Sequence, residues 1–364
     1  MKASATQTSA HAGNPAPSSV TPVKTLQYRD VHEQSKGFPG FDQIYDQLSP
    51  GQFSGHIFDL QLSRARLMRE AGSLPTRQVT RLPEGIYTVI FALNTSPATL
   101  RYRGLPVSQN RVLICWPGEE VVFHTAAWDA IAVAIHADAA ERSCVADFAA
   151  GAPGARYLNT LLTAETAARA RSDFLSAIQL LSADSSILNT PPAQAALEEW
   201  LDNRISELLL GANPTYIPRR TLKHQRIVER AKDYLTIDPN KYTRVSELTA
   251  AVGVSRRALH YAFRHITDMT PARYLKVSRL NGVRRQLRSA TQSRLCVGDL
   301  AAAWGFWHLG RFAADYEQLF GEFPSQTLQG ARVTGRGVTA CRPGLRGNDT
   351  GDPYKSASTD FISV

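Results

Sequence analysis

Cysteine is scarce in this 364-residue chain, and its four copies (Cys115, Cys144, Cys296, Cys341) form no CxxC pair and have no histidine at ligand spacing. That pattern excludes a recognisable zinc site and argues against a disulfide framework, leaving reduced thiols. Long apolar runs are missing too. No stretch approaches the roughly 18 uninterrupted apolar residues that a membrane-spanning helix needs, so no membrane partner is expected. The opening MKASATQTSAHAGNPAPSSVTPVK has no apolar core of a secretory signal, and a cytoplasmic protein is expected. Catalytic signatures are equally absent: there is no GxSxG, no phosphate-binding GxxxxGK[ST], no GxGxxG and no cluster of carboxylates. His56, His124 and His136 form no HxH pattern and no glutamate follows them at metal-binding spacing. Neither an enzyme nor a cofactor or metal is expected.

What the chain does have is an uneven distribution of charge. Residues 1–217 carry 17 basic and 20 acidic side chains, whereas residues 218–333 carry 20 basic and only 9 acidic ones. A strongly basic segment joined to a slightly acidic one implies a polyanion-binding module on a neutral partner domain.

The patterning divides the chain further. Residues 1–38 are rich in Ser, Thr, Ala, Pro and Gly and read as disordered, as does the tail 334–364. Between 39 and 138, short alternating runs such as GHIFDLQL, QVTRL, IYTVIFAL, RVLICWP and AIAVAIH are separated by Pro, Gly or Asn, the pattern of an antiparallel sandwich or barrel. Tyr87, Arg101, Arg103, Trp116 and His124 could line a cavity there, although aromatic residues on strands more often form core. From 139 to 212 apolar residues recur at helical spacing in two stretches separated by NTPP, a helical hairpin suited to dimer contacts. GANPTYIP, within 213–221, reads as a linker. The fold class expected is α+β: an antiparallel β domain with a helical hairpin, then an all-α domain over 222–333.

That last segment contains an internal repeat. Leu248 precedes Gly253 by five positions, Leu259 precedes Phe263 by four, and Pro271 follows eight later; Leu300, Gly305, Phe312, Tyr316 and Pro324 repeat this order 52–53 residues on. VSELTAAV and VGDLAAAW each place apolar residues on one face of a short helix. Gly253 and Gly305 sit where that helix must stop. Ser255 is a natural cap for the helix SRRALHYAFRHI, and His308 or Leu309 begins its counterpart. Helix, glycine turn, helix is the unit that presents a recognition helix to a major groove. Thr270 and Pro271 open a long helix, PARYLKVSRLNGVRRQLR, whose Arg273, Lys276, Arg279, Arg284, Arg285 and Arg288 supply much of the charge.

These residues resemble the AraC/XylS family of bacterial transcription regulators over roughly Leu222 to Arg332. The most diagnostic stretch is AAAWGFWHLGRFAADYEQLFGEFPSQTL, residues 301–328, with Leu328 standing where members often have Tyr. The resemblance implies a DNA-binding domain of two helix-turn-helix units joined by one long helix. It also implies a cupin-like N-terminal barrel that takes a small-molecule effector, and helices that form a homodimer. The expected function is that of an effector-responsive, sequence-specific regulator, expected to act as an activator, with double-stranded DNA as partner and RNA polymerase as a further candidate. The alternative is an effector-independent architectural DNA-binding protein.

On this reading Arg257, His260 and Tyr261 face bases, while Arg256 and Arg264 contact phosphates. In the second unit Arg311 reads a base, Ala313 or Ala314 approaches a thymine methyl, and Trp307 or His308 flanks phosphate or sugar, unless Trp307 packs inward. Arg284 and Arg285, on the long helix, are expected to contact phosphates. The effector-binding residues are not identifiable from the sequence.

Overall fold

The computed structural model describes residues 23–93, 100–102, 105–140, 145, 158–210, 213–215, 219–237, 244–290 and 295–334. The β domain comprises β1 (Val23–Tyr28), α1 (Val31–Gln34), β2 (Asp42–Gln47), β3 (Gly55–Gln61), β4 (Ala65–Gly72), β5 (Thr76–Arg81), β6 (Ile86–Ala92), β7 (Leu100–Tyr102), β8 (Leu105–Pro106), β9 (Arg111–Cys115), β10 (Glu120–Thr125) and β11 (Trp128–His136). The short α2 (Ala137–Ala140), then β12 (Leu158–Leu161), α3 (Ala164–Ala183), α4 (Pro191–Leu210) and β13 (Asn213–Thr215) complete it. One sheet runs β1-β3-β4-β11-β6-β9-β12-β13 and a second runs β2-β5-β10-β7-β8; the pairings are antiparallel.

Period-two alternation builds three layers from these sheets. On β6, Val89 and Phe91 turn to one side of the larger sheet, where Ile114, Ile131 and Val133 join them against Phe174, Ile178, Leu201 and Ile205 of α3 and α4. On the other side Ala92, Leu113 and Cys115 meet Leu100, Tyr102, Val121 and Phe123 of the smaller sheet. The hairpin is further tied down by Glu198, whose buried carboxylate accepts hydrogen bonds from Ser63 Oγ (2.9 Å) and the Arg64 amide (2.7 Å).

Two expectations about boundaries need correction. Residues 23–38 are not disordered: β1 pairs along its length with β3, and Val31 and Phe38 are buried. Asn213–Thr215, placed in the linker, forms an edge strand on β12. Residues 219–221, also placed in the linker, open the helix Arg219–Ile237, and Thr334, placed in the tail, ends the helix Pro324–Thr334. The remaining parts of these two expectations, residues 1–22, 216–218 and 335–364, lie outside the described residues, as does Arg103.

The helical domain follows as α5 (Arg219–Ile237), α6 (Val245–Val252), α7 (Arg256–Thr267), α8 (Pro271–Arg288), α9 (Val297–Ala303), α10 (Leu309–Phe320) and α11 (Pro324–Thr334). Its core is the inward stripe Leu248, Leu259, Phe263, Leu280, Leu300, Phe312 and Tyr316, with Trp304 beside it. No helix among the described residues is long and apolar enough to cross a membrane.

Candidate nucleic-acid interface

Local cap chemistry sets the two helix-turn-helix units. Gly253 ends α6 at φ 68°, and its amide donates to Thr249 O and Ala250 O. Ser255 Oγ then accepts from the Ala258 amide (3.2 Å) and starts α7. In the second unit Gly305, at φ 76°, follows α9, and His308 precedes α10. Thr270 caps α8 by accepting from the Arg273 amide, with Pro271 in the first turn. Glycine is required at 253 and 305 because side-chain-bearing residues pay for left-handed backbone.

Between the units, α8 is fixed to the second one by a close approach. A Cβ on Gly282 would lie 2.0 Å from Trp304 Cη2, and Trp304 Nε1 donates to Gln286 Oε1 (3.1 Å). Neither residue was singled out from the sequence, although a glycine inside a helix is the signal that could have found this packing.

The exposed faces carry most of the residues expected to meet DNA. Arg256, Arg257, His260, Tyr261 and Arg264 are all exposed on α7, with Leu259, Phe263 and Ile266 buried behind them. Arg257 lies over the Tyr261 ring, 5.5 Å from its centroid, so the two present a joint surface. At the second unit Trp307 is 70% exposed, which removes the inward-packing option, and His308, Arg311 and Ala314 are exposed with it. Arg256, Arg257, Arg264 and Arg311 pair with no carboxylate among the described residues.

The cations of α8 behave differently. Arg284 is buried, with Nη2 2.7 Å from Asp30 Oδ2 and Nη1 2.9 Å from Glu322 Oε1, and its guanidinium lies 4.5 Å from the Phe320 ring centroid. Arg288 pairs with Asp30 and Glu33, Lys276 pairs with Asp315, and Arg285 pairs with Asp46. The expectation that Arg284 and Arg285 contact phosphates is therefore corrected: both point at carboxylates of the β domain, and Arg284 is buried. Asn281 completes the junction, accepting from the Gln47 amide (2.9 Å) and donating to Gln47 O (2.9 Å). Burial alone would raise the Asp30 pKa, but Arg284 and Arg288 outweigh it and hold the carboxyl below its ordinary value.

A cavity of about 590 Å³ lies beside this junction, lined by Arg77 and His124 from the β domain and Lys232 and Glu229 from α5. Neither ring nitrogen of the buried His124 has a partner. Burial, then the charge of Arg77, pushes Lys232 down to about 7. The other residues considered as cavity-lining lie elsewhere: Tyr87 and Trp116 pack toward the α3–α4 layer, and Arg101 pairs with Asp268 on α7's C-terminal cap at 3.5 Å.

Residues 248–330 match the family model described as a helix-turn-helix domain. The chain is 39% identical over 148 residues to a probable thc operon regulatory protein of Rhodococcus erythropolis, covering 39% of this chain and 42% of the relative. It is 33% identical over 100 residues to XylDLEGF operon transcriptional activator 2 of Pseudomonas putida, covering 28% of this chain and 64% of that one. The matches thus span less than two thirds of either relative. Among solved structures, the AraC-like transcriptional activator CuxR is 12% identical over 73% of this chain and 95% of that one, at a TM-score of 0.36, too loose a likeness to bear on the fold. Together with the duplicated helix-turn-helix geometry, the domain match and the two curated relatives identify the C-terminal domain of this chain as a DNA-binding helix-turn-helix domain of the AraC/XylS type.

Proposed function

We propose that the whole chain is a sequence-specific transcription regulator that lays two recognition helices, α7 and α10, into successive major grooves. The observation that carries this reading is the sorting of its cations. Among the described residues, those on the exposed faces of α7 and α10 pair with no carboxylate, while four of those on α8 are spent on ion pairs. An arginine fork not engaged by a carboxylate can hold guanine O6 and N7 together, or a phosphate. The 18 residues of α8 span roughly 27 Å, which suits two reading heads near the roughly 34 Å turn of B-DNA.

Effector response is the second part of the proposal. The β domain grips α8 through two segments, α1 with Asp30 and Glu33, and β2 with Asp46 and Gln47. A molecule bound among the strands that displaced either segment would alter how α8 is held. Dimerisation through α3 and α4 belongs to the same proposal and is supported by Leu180 and Leu210, which remain 58% and 81% exposed on those helices.

Selection of bound sequences from a random DNA pool at physiological salt tests the reading. Enrichment of one motif is expected. Binding without a motif and with a steep salt dependence would reduce the chain to an architectural protein.

A further inference from the structure

The space between the two sheets holds a group of unsatisfied polar atoms. A cavity of about 80 Å³ there has Met68, Ile90, Leu100 and Phe123 on its apolar wall. Its polar wall includes Gln78, Thr88 and Trp128, which are 5%, 2% and 4% exposed. Gln78 Nε2, Thr88 Oγ1 and Trp128 Nε1 have no hydrogen-bond partner, and neither does Gln43 Oε1 on the same wall. Buried donors left unmatched are uncommon in folded chains, and four unmatched atoms around one cavity require something to meet them.

The charge of the wall narrows what that can be. Among the described residues Glu70 is the only carboxyl of the wall, and no Lys, Arg or His lines the cavity. Both Glu70 oxygens are already taken: Oε1 accepts from Gln34 Nε2 (2.8 Å) and Oε2 from Tyr45 Oη (2.9 Å). A carboxylate ligand would enter with no cation to receive it and a carboxyl nearby. A cationic ligand would find the carboxyl already engaged and would leave the two N–H donors of Gln78 and Trp128 unmatched. The unmet demand is for an acceptor, to take those donors, and for a donor, to meet Gln43 Oε1.

We propose that this cavity is the effector site and that it selects a small uncharged molecule carrying both a hydrogen-bond acceptor and a donor, as a primary amide does, over the isosteric carboxylate. The inference rests on the regulator reading and adds the chemical class of the ligand. At about 30 Å³ per water the space holds on the order of three waters, which sets the scale of the polar head at a few non-hydrogen atoms. The site is linked to both segments that hold α8: Tyr45 lines it and adjoins Asp46 on β2, and Gln34 of α1 donates to Glu70 of its wall.

The test uses the full chain, titrated with propionamide, propionate and propylammonium while the indole N–H resonances of its five tryptophans are followed. Trp128→Phe assigns the reporting resonance. Propionamide is expected to shift it saturably, with at least tenfold higher affinity than either charged analogue, and Thr88→Val is expected to weaken that binding severalfold. Equal or tighter binding of propionate or propylammonium overturns the proposal. So does the absence of any shift, which would leave waters as the occupants, or full affinity in Thr88→Val. The same preparation is assayed on the selected DNA motif. A chain that binds the motif but not propionamide sinks this inference alone, and a chain that recognises no motif sinks the regulator reading itself.

Discussion

Replacing Arg284 by Ala should weaken the junction between the domains and leave the salt dependence of DNA binding unchanged. The side chain it removes is buried and answers Asp30, whose own side chain is 1% exposed. Breaking a buried pair by deleting one partner costs about 3–5 kcal/mol, because the other charge is stranded. Arg288 Nε, 3.0 Å from the same oxygen, would still hold Asp30, so the lower end, about 3 kcal/mol, applies. At roughly 2–4 °C per kcal/mol, the melting temperature should fall by about 6–12 °C. The pH dependence gives a second handle. A carboxylate held below its ordinary pKa stabilises the fold above its unfolded value and loses that contribution as pH falls through the folded one. The gap between the variant and the parent chain should therefore narrow below about pH 4. Thermal unfolding by circular dichroism measures the first effect, and fluorescence anisotropy across a salt series measures the second. An unchanged melting temperature with a log–log salt slope smaller by about 0.9 would instead place Arg284 on the DNA, since that is the signature of one lost phosphate contact.

Arg257→Ala should relax preference at one base position by about 1–3 kcal/mol, read by competition among single-base variants of the selected site, with equal losses on all sequences counting against a base-reading role. Gly282→Ala should destabilise the helical domain by at least about 1–3 kcal/mol, since its Cβ would fall 2.0 Å from the Trp304 ring; near-UV circular dichroism of the tryptophan reports the displacement. Lys232→Met should stabilise the chain at pH 6. With the lysine lowered to about 7, the folded state binds fewer protons than the unfolded one, so parental stability should rise from about pH 7 toward 10.5 while that of the variant stays flat over this interval.

How much of this was legible in the sequence follows the range of the interactions involved. Gly253, Ser255, Thr270 and Pro271 act on backbone within three or four residues, so their spacing alone announced the helix-turn-helix units. Exposure on α7 was legible for the same reason, because Leu259, Phe263 and Ile266 define an inward stripe and leave the arginines outside it. The fate of Arg284 was not legible. Its partner Asp30 lies 254 positions away, and a count of charges does not say which ones are spent on each other. Asp30 itself sits just beyond a Ser- and Pro-rich stretch whose composition masked the strand and helical turn on either side of it. The polar wall between the sheets was hidden differently. Gln78, on the smaller sheet, and Thr88, on the larger one, look like ordinary outward strand residues until pairing shows that the two sheets face each other there.

The central claim is that one chain reads DNA with two helices set about a turn apart. Hydroxyl-radical footprinting of the purified protein on its selected site tests it most directly. Two protected patches per half-site are expected, on one face of the duplex and about 10 base pairs apart, with the outer or inner patch lost in Arg311→Ala and the other in Arg257→Ala. A single protected patch per half-site, weakened alike by both substitutions, would contradict the claim.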